Sequence, residues 1–391
     1  KLYEEILTNP DKLNSVIKED LRKIKKEYGI PRRTEIREEL EEIKVDTTRM
    51  IPKEQVVVVV TNEGYIKKVP QRSYNTAKEE ETTLKENDYV TGLYNITTTD
   101  TLLLFTNLGN YLYLPVYDIP EVKWKELGKH ISNIISLSPE EKVINSIPVY
   151  NFDEERYITS FTKNGMVKRT ILNEFKVQRY SKPIKMMNLK GTDEVISVTD
   201  STLSNVFIAT SNGYGLWYDI NEVPVVGIKA AGVKAISLKD DYVVSGILFD
   251  VASEYLTILT DKGTAKRMRL TELEKTSRAK RGILLMKTIK SNPSKIIKAY
   301  IINSRNQIGI VSDDYSKIVK LTEISIMDRY SNGSYIIKDR IIDSYIVSEL
   351  ISKEDKEEVT EEIVVEKKQI SLSEIDDKLS NIDSIIKDIN E

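Results

Sequence analysis

A short unit recurs six times along this 391-residue chain and restricts the architectures that it can adopt. In five copies an apolar run is followed by Thr-x-x-Gly and then by a second apolar run. The paired residues are Thr61 and Gly64, Thr106 and Gly109, Thr162 and Gly165, Thr210 and Gly213, and Thr260 and Gly263. The sixth copy, residues 308–314, has Ser312 in place of the threonine and lacks the glycine. The spacing of about 45–56 residues indicates one supersecondary unit used repeatedly.

Each unit is predicted to be a β-hairpin with further strands. The residues before each threonine are mostly β-branched or aromatic, which suits a strand, and Asn, Asp and Gly suit the turn. Second strands are predicted at residues 65–69, 111–116, 166–172, 215–220 and 264–270, and later apolar stretches at 89–96, 143–149, 194–198, 242–249 and 295–302. Six units of about four strands predict a mainly β fold, a six-bladed propeller-like disc. A solenoid of stacked repeats is the structural alternative.

The N-terminal residues have a different pattern, which predicts a helix. Asn9 is a good N-cap, Pro10 suits the first helical position, and Tyr28-Gly29 marks the end. We therefore divide the chain into residues 1–50, the end of a helical domain with a linker, residues 51–350, the disc, and residues 351–391, a tail. Because the chain begins in a helix and without Met, we expect a piece of a longer protein whose larger N-terminal part is absent.

The tail is acidic and is predicted to contain an amphipathic helix. Its net charge is −7, and apolar residues from Leu372 to Ile389 recur in steps of three and four. This helix is too short to be stable alone in water, so it either frays or docks on this protein or on a partner. Residues 1–50 carry no net charge and the whole chain carries −3, which leaves +4 for residues 51–350.

The composition excludes several classes of active site. The chain has no Cys and one His, His130, which excludes Cys/His zinc sites, cysteine nucleophiles and His-based triads. We expect His130 to pack or to cap a loop. No P-loop and no apolar stretch of eighteen residues is present. We therefore predict no catalytic residue, no metal site and no membrane span, and we expect a binding module.

Basic residues recur after the hairpin turns and in the loops that follow. In a radial array equivalent positions lie around one rim, and such a rim suits a polyanion, with double-stranded DNA the natural partner. The alternative is that paired basic residues on strands only protect them from aggregation. The candidate DNA-binding residues are Lys67, Lys68, Arg72, Lys168, Arg169, Arg179, Lys182, Lys229, Lys234, Lys266, Arg267, Arg269, Arg278, Lys280 and Arg281.

Four strings carry a resemblance to a known family. They are residues 13–36, Trp124-Lys125-Glu126-Leu127-Gly128, Lys229-Ala230-Ala231-Gly232-Val233-Lys234 and Arg278-Ala279-Lys280-Arg281-Gly282. Over nearly all of residues 1–350 the chain resembles the C-terminal part of the A subunit of bacterial type IIA topoisomerases, and within them the topoisomerase IV branch. The resemblance implies a β-pinwheel that binds and bends DNA and presents a segment for ATP-dependent strand passage by a catalytic core.

One loop departs from the gyrase branch of that family. The gyrase subunit carries a basic, glycine-rich box that wraps DNA, whereas here residues 71–78 keep only the Gln71-Arg72 opening and acids follow. The departure favours decatenation and relaxation over supercoiling. A gyrase A subunit with a degenerate wrapping box, and a protein-interaction propeller, are the two alternatives.

The resemblance also implies partners and a location. The DNA-cleaving tyrosine lies upstream of this chain, and ATP and Mg²⁺ are used elsewhere in the assembly, so no cofactor is expected here. The implied partners are the ATPase B subunit of the topoisomerase, together with a second A subunit, both joined through the absent core. The implied location is the cytoplasm, in association with the chromosome. The acidic tail is expected to compete with DNA for the basic rim.

Overall fold

A computed structural model of the chain describes residues 2–30, 51–78, 81–287, 291 and 293–353. The chain divides into two compact units, Lys1–Arg49 and Met50–Glu391. Residues 31–50, the later part of the predicted helical end and linker, and the predicted tail helix lie outside the described residues.

Residues 2–30 of the first unit form two helices, α1 (Leu2–Thr8) and α2 (Pro10–Tyr28). The Asn9 side chain accepts a hydrogen bond from the Asp11 amide at 3.0 Å, and the Gly29 amide donates to the Lys25 carbonyl at 2.9 Å. The predicted start and end of this helix are therefore confirmed. Its apolar positions form a stripe and are 38–59% exposed. They are Leu13, Val16, Ile17, Leu21 and Ile24.

The second unit is built from six antiparallel sheets, here called blades 1–6. The first strands of the blades are β1 (Gln55–Thr61), β4 (Thr101–Thr106), β8 (Tyr157–Thr162), β12 (Asn205–Thr210), β16 (Tyr255–Thr260) and β20 (Gln307–Ser312). The second strands are β2 (Tyr65–Pro70), β5 (Asn110–Pro115), β9 (Met166–Ile171), β13 (Tyr214–Asp219), β17 (Thr264–Arg269) and β21 (Ser316–Lys320). The third strands are β3 (Val90–Thr97), β7 (Val143–Val149), β11 (Val195–Thr199), β15 (Val243–Phe249), β19 (Ile296–Tyr300) and β23 (Ile341–Ile346).

A fourth, two-residue strand completes each of blades 1–5, and it comes from the following repeat. These outer strands are β6 (Lys129–His130), β10 (Ile184–Lys185), β14 (Val233–Lys234), β18 (Ile283–Leu284) and β22 (Ser334–Tyr335). In blade 1 the order is β3-β1-β2-β6, with the third strand at one edge and the borrowed strand at the other. The exchange links each blade to the next. The prediction of a six-bladed, propeller-like disc is confirmed, and the solenoid is set aside.

The segment that carries each borrowed strand is called a crossover segment below. The crossover segments of blades 2–6 are residues 116–130, 172–185, 220–234, 270–284 and 321–335. Each begins with a short 3-10 turn directly after the second strand. Blade 1 has α3 (Gln71–Ala77) at this place instead.

The Thr-x-x-Gly motif forms the hairpin turns. The Gly64 amide donates to the Thr61 carbonyl at 3.0 Å, and the Thr61 hydroxyl accepts from the Tyr65 amide at 3.1 Å. Gly64 has a φ of 85°, which side chains with a Cβ rarely adopt. Blade 6 lacks the glycine, and there the Ser312 hydroxyl accepts from the Tyr315 amide at 3.2 Å.

The core lies between neighbouring blades, so the first strands are buried on both faces. Val56, Val58 and Val60 of β1 pack in one cluster with Leu102 and Leu104 of β4. Val59, on the opposite face of β1, packs in a second cluster with Val69 and Trp124. This two-sided burial explains the unbroken valine run, since strands covered on both faces need no polar alternation.

Blade 6 contacts blade 1 through several side chains and one short backbone pairing. The rings of Tyr89 and Tyr345 stack at 3.7 Å, and the Tyr89 hydroxyl donates to Asp343 at 2.9 Å. Ile351 then pairs with β3, since its amide donates to the Leu93 carbonyl at 3.0 Å. The ring of blades is thereby closed.

Candidate nucleic-acid interface

Three of the predicted DNA-binding lysines lie inside the disc. Lys67, Lys168 and Lys266 occupy equivalent positions in the second strands of blades 1, 3 and 5, and each is at most 3% exposed. The Lys266 Nζ donates to four carbonyl oxygens at 2.7–3.0 Å, those of Leu285, Asp328, Arg329 and Ser331. An ammonium with three protons is fully satisfied by such a ring of acceptors.

The other two lysines make the same kind of contact. The Lys67 Nζ donates to the carbonyls of Trp124 and Glu126, both at 2.6 Å. The Lys168 Nζ donates to the carbonyls of Met186 and Ile228. In all three blades the acceptors include carbonyls from the crossover segment of the next blade. The lysines therefore fasten that segment to the preceding blade.

Burial changes the proton affinity of these lysines. Removal from water disfavours the charged form and lowers the pKa of each of Lys67, Lys168 and Lys266 from 10.5 to about 8. Acidic neighbours, such as Glu174 for Lys168, oppose this shift only in part.

The basic residues that follow these lysines cap the 3-10 turns of the next blade. The Lys68 Nζ donates to the Tyr117 carbonyl at 2.8 Å, and the Arg267 Nε donates to the Ile324 carbonyl at 2.8 Å. Arg169 donates to the carbonyls of Ile220 and Val223 at 3.2 and 3.4 Å. The guanidinium groups of Arg169 and Arg267 also lie over Tyr157 and Tyr255.

The structure thus corrects six of the predicted phosphate contacts. Lys67, Lys68, Lys168, Lys266 and Arg267 are buried, Arg169 is half-buried, and all six donate to backbone carbonyls. A phosphate cannot reach a buried ammonium without displacing these acceptors. Blades 2 and 4 have the buried Leu112 and Leu216 where blades 1, 3 and 5 have lysine, so burial is the property that this position shares across blades 1–5.

Glycine lets each crossover segment approach the preceding blade closely. A Cβ on Gly232 would lie 2.4 Å from the Val167 carbonyl oxygen, and one on Gly282 would lie 2.1 Å from the Gly215 carbonyl oxygen. Both have φ near 80°. The family-like strings around these glycines are therefore the sites where the borrowed strands dock.

The remaining predicted residues are accessible, and most lie in the crossover segments. Arg179, Lys182, Lys229, Lys234, Lys280 and Arg281 are exposed on the crossover segments of blades 3–5. Arg72 is exposed on α3, and Arg269 is exposed at the end of β17. Arg278 is half-buried, and its Nε donates to the Glu222 carbonyl at 3.0 Å.

The exposed basic residues recur at matching positions around the ring. Lys182 and Arg281 each lie two residues before the start of their outer strands, while Lys234 ends β14 in the same way that Lys185 ends β10. Repetition of the blade therefore spaces positive charge along one rim. We refer to the exposed residues Arg179, Lys182, Lys229, Lys234, Lys280 and Arg281 as the basic rim.

Sequence reasoning missed Arg329, the half-buried counterpart of Arg278 in the crossover segment of blade 6. Its amide donates to Glu272 at 2.8 Å, just as the Arg278 amide donates to Glu222 at 2.7 Å one blade earlier. Aligning Gly333 with Gly282 would have found it.

The loop that corresponds to the gyrase box is helical here. Residues Gln71–Ala77 form α3, and Tyr74 packs edge-on against Trp124 at 5.0 Å. The loop continues with Thr82 and Thr83, whose hydroxyls donate to the carbonyls of Trp124 and Lys125. This segment is held against blade 2.

His130 has the structural role that the sequence predicts. Its Nδ1 accepts from the Ser132 amide at 3.2 Å, which caps the short 3-10 turn at Ile131–Asn133, and its Nε2 lies 2.9 Å from the Glu63 carbonyl oxygen. Within residues 2–30, 51–78, 81–287, 291 and 293–353 no group of three or more acidic or His side chains could hold a metal ion. No helix in that part of the chain is long and apolar enough to cross a membrane.

The interlocked ring of six blades defines the class, a β-pinwheel domain. The profile of the family described as "DNA gyrase C-terminal domain, beta-propeller" matches residues 55–78, 100–149, 156–199, 204–249 and 254–303. The chain belongs to this family.

Curated relatives point to one branch of it. The A subunit of DNA topoisomerase 4 from Bacillus subtilis (strain 168) is 42% identical over 339 residues, which cover 86% of this chain. Its counterpart from Staphylococcus epidermidis is 37% identical over 341 residues. The chain spans 42% of the length of either relative.

Solved structures agree with this placement. The C-terminal domain of a DNA topoisomerase IV superposes with a TM-score of 0.73 at 40% identity and covers 76% of this chain and 94% of its own. A DNA gyrase A C-terminal domain superposes with a TM-score of 0.56 at 18% identity, covering 75% of this chain and all of its own, which supports the fold alone. The predicted resemblance to the C-terminal part of a topoisomerase IV A subunit is confirmed.

Proposed function

We propose that this chain is the DNA-binding and DNA-bending module of a type IIA topoisomerase of the topoisomerase IV kind. The observation that carries the proposal is the recurrence of exposed Lys and Arg on successive crossover segments of the disc. Lys and Arg side chains supply the sequence-independent part of DNA affinity by displacing counterions from phosphates. A curved row of such contacts favours a bent duplex, because the added contacts offset the elastic cost of bending.

The contact surface differs from the one that the sequence alone suggests. The basic rim provides the phosphate contacts, with Arg72 and Arg269 as further accessible candidates. The buried Lys168 supports this surface, since it fixes the crossover segment of blade 4, which carries Lys229 and Lys234.

The module would serve a larger assembly. It presents a DNA segment to a catalytic core, which cleaves and reseals a second segment during ATP-dependent decatenation and relaxation. The partners are the ATPase B subunit of the topoisomerase, together with a second A subunit, and the location is the cytoplasm with the chromosome. The partly exposed apolar stripe of α2 supports attachment to further helical structure.

The form of the gyrase-box loop favours this branch over gyrase. The loop forms the short helix α3 and contains no glycine, and it packs on blade 2 through Tyr74. A helix fastened in this way presents few backbone amides to phosphate.

A charge-matched pair of variants tests the proposal. The rim variant carries Lys182→Ala, Lys234→Ala and Arg281→Ala, and the control carries Lys18→Ala, Lys25→Ala and Lys26→Ala on the exposed face of α2. Each loses three positive charges. Affinity for random-sequence duplex is measured across a salt series. We expect the slope of log K against log salt to flatten by about 2–3 in the rim variant, near 0.9 per lost phosphate contact, and to stay unchanged in the control.

Equal affinity of the two variants would contradict the proposed interface. Binding of a protein ligand at moderate salt, without any binding of duplex at low salt, would instead support the protein-interaction alternative.

A further inference from the structure

The outer edge of blade 6 is uncovered in the described part of the chain. Each of blades 1–5 has four strands and ends in a borrowed outer strand, whereas blade 6 has the order β21-β20-β23. Strand β21 is therefore an edge strand among the residues that the structure describes. Open edges of this kind are templates for pairing with another segment.

The backbone of β21 shows which groups are left open. In blade 1 the Lys68 amide donates to the Pro120 carbonyl at 2.9 Å and its carbonyl accepts from the Val122 amide at 3.1 Å. The residue of β21 at the matching register is Ile318, which pairs with Gly309 as Lys68 pairs with Val58. Within residues 293–353 and the other described ranges, no crossover segment pairs with Ile318.

Side chains on this strand are exposed where their counterparts are buried. Lys317 is the blade 6 equivalent of Lys266, yet it is exposed and donates to a single carbonyl, that of Ile336, at 3.3 Å. Ile318 is 56% exposed. The outer edge of blade 6 therefore resembles the outer edges of blades 1–5, but among the described residues no crossover segment covers it.

Blade 1 does not supply the missing strand, although the ring order would assign it that role. The segment after its second strand forms α3 and then bonds to blade 2 through Thr82 and Thr83. Among the described residues this segment makes no backbone pairing with β21.

We infer that residues 359–368 of this chain's own C-terminal tail, Val-Thr-Glu-Glu-Ile-Val-Val-Glu-Lys-Lys, add to β21 as the fourth strand of blade 6. The last described residues favour this occupant. The Ile351 carbonyl accepts from the Asn95 amide at 2.8 Å, so the chain leaves the disc where blade 6 meets blade 1. Thirty-eight residues follow Lys353.

Reach and composition both suit the pairing. Five residues lie between Lys353 and Val359, and the six Cα–Cα steps can span about 20 Å when extended, which equals several strand spacings of about 4.8 Å. The centre of the segment, Ile363-Val364-Val365, is β-branched and suits a strand that covers the exposed Ile318.

The charges of the two segments are complementary. Lys317 and Lys320 are exposed on β21, and Lys338 and Arg340 are exposed in the loop that follows in the same blade. The tail segment opposes them with Glu361, Glu362 and Glu366, and with Lys367 and Lys368 at its end its net charge is −1. Cross-strand pairs of opposite charge stabilise a sheet by a few tenths of a kcal/mol to about 1 kcal/mol each.

Disulfide trapping tests the pairing directly, because the chain contains no cysteine of its own. The test variant carries Ile318→Cys with Val364→Cys, and the matched control carries Ile318→Cys with Ile386→Cys, nearer the end of the same tail. We expect an intrachain disulfide in the monomer that forms at least about tenfold faster in the test variant than in the control. Equal rates in the two variants, or disulfide-linked dimers in the test variant, would overturn the inference.

Hydrogen exchange gives a readout without new cysteines. We expect the amides of β21 to exchange at least about tenfold faster in a chain that ends at Lys353, and also in Val364→Pro of the full chain, than in the unmodified full chain. The amides of β9, whose edge is covered by β14, serve as the internal control. Unchanged β21 exchange in both variants, or protection that arises only when duplex DNA is added, would contradict the inference.

Discussion

Lys168 shows how much the position of a basic side chain decides its role. It lies in the middle of β9, is 1% exposed, and donates to the carbonyls of Met186 and Ile228. The sequence shows only a lysine beside an arginine on a strand, which is typical of a solvated edge. The covering segment comes from residues some 60 positions later, so neither strand periodicity nor local charge could predict the burial.

Replacing this lysine should therefore unfold the disc more easily rather than weaken DNA contacts. Lys168→Met removes the donor from one buried and one partly buried carbonyl, those of Met186 and Ile228, and we expect a loss of about 2–4 kcal/mol in the free energy of unfolding by urea. The matched control, Lys182→Met on the exposed crossover segment of blade 3, should change it by less than about 0.5 kcal/mol. Equal stability of the two variants, with lower DNA affinity for Lys168→Met, would indicate that Lys168 contacts DNA after all and would contradict its structural role.

The depressed pKa of Lys168 makes a prediction about pH. The folded-state pKa is about 8 and the unfolded value is 10.5, so between these values the unfolded chain binds more protons and stability rises with pH. We expect the stability advantage of the wild type over Lys168→Met to grow between pH 8 and pH 10. Comparing each protein with itself at pH 7 and pH 10 by urea unfolding measures this change, and an advantage that shrinks would contradict it.

At the scale of the element, the hairpins are predictable and the borrowed strands are not. The Thr-x-x-Gly turn is a local signal, because the glycine needs positive φ and the threonine hydroxyl accepts from an amide four residues on. The predicted strand at residues 143–149 matches β7, and the other predicted strands agree within two residues. The outer strands have only two residues each and take their register from the neighbouring blade, so no local pattern marks them.

Substitution of a glycine in a crossover segment should destabilise the disc for two separable reasons, which are steric overlap of the added Cβ and backbone strain. Gly232→Ala adds a Cβ that would lie 2.4 Å from the Val167 carbonyl oxygen at a φ of 80°, so we expect loss of at least about 2 kcal/mol in stability. Gly191→Ala is the control for backbone strain alone, since its φ is 60° and no atom lies within 4 Å of the added Cβ. It should cost about 1 kcal/mol by urea unfolding.

The same glycine variant should also weaken DNA binding. Displacing β14 moves Lys229 and Lys234, which belong to the basic rim. Duplex affinity of Gly232→Ala should fall at low salt, whereas that of Gly191→Ala should not. Wild-type affinity in a destabilised Gly232→Ala would show that these lysines do not contact phosphate.

At the scale of the whole molecule, closure of the ring depends on a few contacts between blades 6 and 1. Tyr89 stacks on Tyr345 and donates to Asp343, and burial together with this carboxylate raises the pKa of the Tyr89 hydroxyl. The sequence predicts six blades but gives no sign of this closure. Tyr89 and Tyr345 stack in space, but in the sequence they lie near opposite ends of the disc domain.

Removing the stack should open this junction selectively. Tyr89→Ala should cost about 3 kcal/mol and speed amide exchange in β3 and β23, while Tyr89→Phe keeps the ring contact and should cost about 1 kcal/mol. Exchange in blade 3 should be unchanged in both. Uniform acceleration across all blades would indicate that the junction has no separate role.

Curvature of the rim is a property of the whole disc, and it connects the buried scaffold to the proposed activity. The crossover segments of blades 3–5 carry exposed basic residues to matching places on successive blades, and Lys168 fastens the one in blade 4. A straight duplex can contact only part of such a curved row, so binding should bend the DNA.

The measurement that tests this account most directly is the bending of a short duplex, followed by energy transfer between fluorophores at its two ends, across a salt series. The account predicts that the wild type and the α2 charge-loss control shorten the end-to-end distance alike. The rim variant with Lys182→Ala, Lys234→Ala and Arg281→Ala should lose both the bending and the steep salt dependence. A rim variant that binds and bends DNA as the wild type does would contradict the account.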